Sequence, residues 1–110
     1  MIEETVSKIE AKIQGADTIK DERKRELLQL LGTLKSEVAA LSRTHGEEAQ
    51  SIAGFTQVSA HEATRSEPNP ELLNLSLKGL SSSAEGFEKS HPKLVQIVNE
   101  VSRMLSNLGI

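Results

Sequence analysis

The chemistry open to this chain depends on three histidines, His45, His61 and His91, because cysteine is absent. The lack of cysteine excludes disulfides, thiolate catalysis and cysteine-ligated metals. His45 and Glu48 are three residues apart, so an imidazole and a carboxylate can share one side of a helix and contribute to a metal or small-ligand site. A bundle metal site needs such pairs from several facing helices. The other predicted helices carry apolar stripes instead, so we expect no metal and no cofactor.

Two further segments resemble catalytic motifs. His61-Glu62-Ala63-Thr64-Arg65 begins like the zinc protease motif His-Glu-x-x-His, but Arg65 takes the place of the second ligand, and a permanent cation cannot bind zinc. Ser81-Ser82-Ser83 offers hydroxyls without a base at a local spacing, and small residues there favour close helix packing. His91 precedes a proline and is expected to serve a turn. We therefore expect a protein that is not an enzyme.

Apolar residues repeat at steps of four and three in four segments, which is typical of helices packed in a bundle. The stripes are Ile2, Val6, Ile9 and Ile13; Leu27, Leu31, Leu34, Val38 and Leu41; Leu73, Leu77, Leu80, Ala84 and Phe87; and Leu94, Val98, Val101, Leu105 and Leu108. They predict helices over residues 2–14, 19–65, 70–89 and 92–108. The predicted class is all-α, a small antiparallel four-helix assembly with coiled-coil-like spacing, formed by residues 1–110 as one domain.

Prolines and glycines set several of the predicted helix ends. Arg65 to Pro70 is the clearest linker, in which Asn69 is a preferred N-cap and Pro70 suits the first helical position. Pro92 is expected to open the fourth helix in the same way, and Gly109 to end it.

The second predicted helix is unusually long, roughly 70 Å, because no proline interrupts it before Pro68. Its register beyond Leu41 passes through polar and apolar residues in turn: His45, Glu48, Ile52, Phe55, Ser59 and Glu62. Either the helix breaks near Thr44-His45-Gly46, or it continues and packs against a second subunit. Gly46 costs only about 1 kcal/mol within a helix, and good helix formers follow it. The sequence therefore favours a continuous helix.

The charge pattern indicates neither a nucleic-acid partner nor a membrane partner. The formal net charge is -3, from 13 basic and 16 acidic residues that are interspersed along the chain. The tightest basic cluster, Arg23-Lys24-Arg25, lies among acidic neighbours and is expected to be a solvated helix face. No apolar run approaches the roughly 20 residues of a membrane span, and the N-terminus is acidic. We expect a cytoplasmic protein.

One stretch at the C-terminus resembles a known family. Glu85-Gly86-Phe87-Glu88-Lys89-Ser90-His91-Pro92, then Leu94, and then Leu105-Ser106-Asn107-Leu108-Gly109-Ile110 resemble the signature of a bacterial family catalogued as domain of unknown function 4404. The resemblance is mainly in the last thirty residues, and residues 43–68 look like an addition that shorter members lack. It implies an all-helical bacterial protein and carries over no catalytic residue, cofactor or partner.

These expectations favour a protein-interaction or self-assembly module. A second helix that extends beyond its partners leaves Ile52, Phe55 and Val58 to bury, and a symmetric dimer would cover them. The predicted partner is a second copy of the chain, as a homodimer or higher homo-oligomer. The alternative is a metal or small-ligand carrier that uses His45 and Glu48, with His61 as a further candidate ligand.

Overall fold

The computed structural model describes residues 2–108, which form five α-helices and no strand. The helices are α1 (Ile2–Gln14), α2 (Asp21–Ser42), α3 (Gly46–Ala63), α4 (Pro70–Ala84) and α5 (Pro92–Leu108). The all-helical class is confirmed. The number of helices is not, because the described chain has five where the sequence predicted four.

The predicted continuous helix over residues 19–65 is wrong, since the chain leaves the helical path between Ser42 and Gly46. The backbone N–H groups of Thr44 and His45 both donate to the Leu41 carbonyl, at 3.1 and 2.8 Å. His45 then adopts φ -133° and ψ 64°, outside the helical region. The next helix opens with a bond from Ala49 N–H to the His45 carbonyl at 3.0 Å. The chain therefore folds back on its own bundle, and the length mismatch that favoured a partner subunit disappears.

The proline-based helix starts are confirmed, whereas one predicted end is wrong. The Asn69 side chain accepts a hydrogen bond from Leu72 N–H at 3.1 Å, and Pro70 is the first residue of α4. Helix α4 ends at Ala84, five residues before the predicted residue 89, because Glu85 has ψ 136°, outside the helical region. Gly86 follows with φ +99°, a conformation that side-chain-bearing residues rarely adopt. The bounds of α1 and α5 agree with the prediction, although Gly109, the expected stop of α5, lies outside the described residues.

Helix α3 is the centre of the bundle and packs on all four other helices. Helix α1 also packs on α2, and α5 also packs on α2 and α4. The core contains most of the predicted stripe residues and is almost wholly aliphatic; its largest fully buried side chains are Ile9, Ile13, Leu27, Leu31, Leu34, Leu41, Ile52, Leu80, Leu94, Leu105, Val6 and Val38. Of the three residues from which a second subunit was inferred, Ile52 is thus covered by its own chain, whereas Phe55 and Val58 remain exposed.

The inner face of α3 is built from small residues. Positions 49, 53, 56, 60 and 63 follow each other at steps of four and three and are buried as Ala, Ala, Thr, Ala and Ala. The Thr56 hydroxyl donates to the Ile52 carbonyl at 2.7 Å, so its burial leaves no polar group unpaired. Short side chains let the surrounding helices approach α3 closely, which suits a helix with neighbours on several sides.

Candidate interaction surface

Two contacts fix how α3 and α4 pack. Ser59 Oγ donates a hydrogen bond to Ser76 Oγ at 3.0 Å, and both residues are buried. Toward the start of α3, the Phe55 ring lies directly over Gly79. Phe55 precedes Ser59 by four residues on α3, whereas its contact Gly79 follows Ser76 by three residues on α4. The two helices are antiparallel, and small residues lie at their contact.

From this register, one outer row of side chains on each helix can be placed. Phe55, Val58 and Glu62 share one side of α3, and Leu72, Leu75 and Gly79 share one side of α4, because residues three and seven apart lie on one helix face. The Phe55–Gly79 contact sets the rows side by side. Val58 then lies beside Leu75, and Glu62 beside Leu72.

Four large apolar side chains are exposed in the described part of the chain, and all four belong to these rows. The exposed fractions are 39% for Phe55, 48% for Val58, 44% for Leu72 and 66% for Leu75. We call these four residues the α3–α4 apolar face. Single exposed apolar residues are ordinary, whereas a cluster on one face of a small protein marks a contact surface.

Charged residues border the face. Glu71 and Lys78, both exposed, line a shallow groove along α4 together with Leu72, Asn74 and Leu75. At the end of α3, the Arg65 guanidinium donates to the Glu62 carboxylate at 2.7 Å. This ion pair lies within the segment that resembles a zinc protease motif, and it holds Glu62, which is 7% exposed, in a structural contact.

The structure places two of the three predicted interface residues on the α3–α4 apolar face. Phe55 and Val58 belong to it, but Ile52 is completely buried in the core and cannot form part of an exposed surface. The sequence analysis also did not identify Leu72 and Leu75 as exposed apolar residues. A signal was present, because a helix start with leucines at 72, 73, 75 and 77 has more apolar residues than one inward stripe can bury.

The predicted ligand residues do not come together. His45 precedes α3 and Glu48 is exposed in its first turn, whereas His61 lies sixteen residues further, about 24 Å along the axis. Within residues 2–108, no group of three or more His, Cys, Asp or Glu side chains is placed to hold a metal ion. Within one chain, His61 therefore lies too far along α3 to share a site with His45 and Glu48.

His45 instead joins an aromatic cluster that the sequence analysis did not foresee. Its ring centroid lies 5.3 Å from that of Phe87 and 6.5 Å from that of His91, and Phe87 and His91 are 5.8 Å apart. All three pairs meet edge to face, a favourable arrangement for aromatic rings. The cluster connects the α2–α3 junction to the turn before α5.

Local hydrogen bonds orient the two imidazoles. His45 Nδ1 is 2.8 Å from Thr44 Oγ1, and His91 Nδ1 is 3.0 Å from Ser90 Oγ. The backbone closes the same turn, since His91 N–H donates to the Phe87 carbonyl at 2.7 Å and Gly86 N–H donates to the Glu88 carboxylate at 2.8 Å. The segment from Gly86 to His91 is therefore a hydrogen-bonded turn that presents Phe87 and His91 to His45.

The family assignment follows from the match of residues 27–110 to the model of Domain of unknown function (DUF4404). The chain belongs to this family. The match runs from α2 to the last residue and includes residues 43–68, so the sequence-based view of a mainly C-terminal resemblance is wrong in extent. No curated protein and no solved structure is significantly similar to the chain. None of the described helices is both long and apolar enough to cross a membrane.

Proposed function

We propose that this chain is a non-enzymatic, bacterial cytoplasmic module for protein interaction, and that it self-associates through the α3–α4 apolar face. One observation carries the proposal: all four large apolar side chains that are exposed in residues 2–108 belong to two adjacent rows on the packed helices α3 and α4. Fully burying a Val, Leu or Phe side chain is worth about 1.5–3 kcal/mol. A partner that covers the face would therefore gain affinity from several neighbouring residues.

The way the face is built also supports this proposal. The Ser59–Ser76 hydrogen bond and the Phe55–Gly79 contact fix α3 against α4, so the exposed side chains are presented by two packed helices. A preorganised surface loses little entropy on binding. A symmetric contact uses each exposed residue twice, so a second copy covers the face without any other gene product.

The non-enzymatic part of the proposal is supported by the surroundings of the histidines. His45 and His91 contact each other, Phe87 and neighbouring hydroxyls, whereas His61 is exposed on α3. The Ser83 hydroxyl, from the triple-serine segment, donates to the Leu80 carbonyl at 2.7 Å. The hydroxyls that contact His45 and His91 belong to the adjacent residues Thr44 and Ser90, and Ser83 bonds within its own helix, so these contacts favour structural roles in turns and helices.

Light scattering after size-exclusion chromatography tests the proposal. Leu75→Glu places a carboxylate at the most exposed residue of the face and should shift a dimer to monomer, because burying an unpaired charge is costly. Ala40→Glu, at an exposed position of α2, is the matched control and should leave the mass unchanged. Circular dichroism should show equal helix content in all three proteins. A dimer that persists in Leu75→Glu would overturn the use of this face.

The alternative function is a metal or small-ligand carrier that uses His45 and Glu48, with His91 as a further candidate ligand near His45. The observation in its favour is that the ring centroids of His45 and His91 are 6.5 Å apart. Elemental analysis of purified protein and melting temperatures with added zinc test this alternative. A stoichiometric metal, or a stabilisation by zinc that His45→Ala abolishes, would make the carrier the primary function, because a ligand stabilises the state that binds it.

A further inference from the structure

We infer that the partner on the α3–α4 apolar face is a second copy of this chain, with the two α4 helices antiparallel about a two-fold axis next to Leu75. This inference rests on the proposed function and specifies its geometry. It comes from the order of residues along the outer side of α4, where Glu71, Asn74, Leu75 and Lys78 form one stripe at helical spacing.

The charges on this stripe are self-complementary. Glu71 lies one turn before Leu75 and Lys78 about one turn after it, and both side chains are exposed. When two such helices run antiparallel with Leu75 near the centre, Glu71 of each copy faces Lys78 of the other. A parallel pairing would instead place Glu71 against Glu71 and Lys78 against Lys78, and like charges in contact oppose association.

The apolar residues fit the same arrangement. Leu75 is the most exposed apolar side chain of the described residues, and in this pairing it lies beside the two-fold axis, where the two copies of one residue meet. Leu72 lies on the α3 side of the stripe, and Phe55 and Val58 continue the apolar surface onto α3. Helix α4 of the second copy therefore lies across the whole α3–α4 apolar face, with the charged pairs at its rim.

Charge reversal tests the antiparallel pairing by sedimentation velocity. Glu71→Lys alone creates two Lys–Lys contacts and Lys78→Glu alone creates two Glu–Glu contacts, so each should raise the dimer dissociation constant about ten-fold at low salt. The double variant Glu71→Lys/Lys78→Glu restores opposite charges and should return the constant to near the wild-type value. The losses in the single variants should shrink at about 1 M salt, where the screening length is only about 3 Å.

Matched variants separate this effect from net charge and from helix stability. Asp17→Lys and Lys20→Glu make the same charge changes at exposed positions before α2 and should leave the dissociation constant unchanged. Glu71 also lies in the first turn of α4, where an acidic residue is favourable, so thermal unfolding must be measured for every variant. The antiparallel pairing alone would be overturned if the single variants had the wild-type dissociation constant, or if the double variant kept a raised one. A wild-type monomer at all concentrations would overturn the proposed function as well.

Discussion

Ser59 and Ser76 form a hydrogen bond across the α3–α4 contact, with 3.0 Å between their hydroxyl oxygens. The Ser76 hydroxyl donates in turn to the Leu73 carbonyl at 2.9 Å. Both side chains are buried, so these small, paired groups set how closely α3 and α4 approach. The position of Phe55 and Val58 relative to Leu72 and Leu75 depends on that close approach.

The close approach predicts a strong size dependence at residue 76. Ser76→Ala removes two hydrogen bonds and leaves the buried Ser59 hydroxyl without its acceptor, so it should cost about 1–3 kcal/mol of unfolding free energy. Ser76→Leu should cost about 1–3 kcal/mol more, because the larger side chain forces the helices apart. Denaturant unfolding measures both. The control Ser81→Leu changes an exposed residue of the same helix and should have an effect below about 0.5 kcal/mol. Equal stabilities of Ser76→Leu and Ser76→Ala would mean that the helices are not closely packed there.

Gly79 makes room for the Phe55 ring. The effect of Gly79→Ala on the free energy of unfolding should therefore change sign when Phe55 is replaced by Ala. A Cβ at residue 79 would lie 2.6 Å from Phe55 Cδ1 and 2.7 Å from Cζ, too close for a real contact. Gly79→Ala should therefore destabilise the wild-type protein by about 1 kcal/mol. In a Phe55→Ala background the clash is gone, and Gly79→Ala should stabilise by up to about 1 kcal/mol through helix propensity.

Gly32 is the control for this prediction. It lies within α2, and a Cβ there would meet nothing within 4 Å. Gly32→Ala should stabilise the protein by up to about 1 kcal/mol in either background. If Gly79→Ala stabilises the wild type as much as Gly32→Ala does, the Phe55 ring is not held against Gly79.

The aromatic cluster predicts a selective spectroscopic effect. Phe87→Leu removes the ring but keeps an apolar side chain of similar size, so the imidazole proton resonances of His45 and His91 should move when the ring current is lost. His61 lies outside the cluster and serves as the internal reference. Proton NMR at one fixed pH measures all three histidines. Resonances of His45 and His91 that stay unchanged would contradict the contact between the α2–α3 junction and the turn before α5.

Local patterns predicted much of this fold. Asn69 and Pro70 define the start of α4, and Pro92 the start of α5, through cap chemistry that depends on a few neighbouring residues. The apolar stripes of α1, α2 and α5 predicted core residues correctly, because a four-and-three repeat places large apolar side chains on a single helix face, which the fold buries. These elements needed no knowledge of the partner helices.

The middle of the chain could not be predicted in the same way. The turn at residues 43–45 contains no proline, and the α2 register was carried through it onto Glu48 and Phe55, which are exposed. Apart from Ile52, Ser59 and Glu62, the buried positions of α3 are four alanines and Thr56, which carry little hydropathy signal and are buried because of the helices around them. The α3–α4 apolar face could be placed only from tertiary contacts, since only the Ser59–Ser76 and Phe55–Gly79 pairs set Val58 beside Leu75.

Sedimentation equilibrium of the unmodified chain tests the central claim most directly. The α3–α4 apolar face predicts association, so the measured mass should rise from micromolar to submillimolar concentration toward twice the 12.0 kDa of one chain. A measured mass that stays at 12.0 kDa over the whole concentration range would contradict self-association through Phe55, Val58, Leu72 and Leu75.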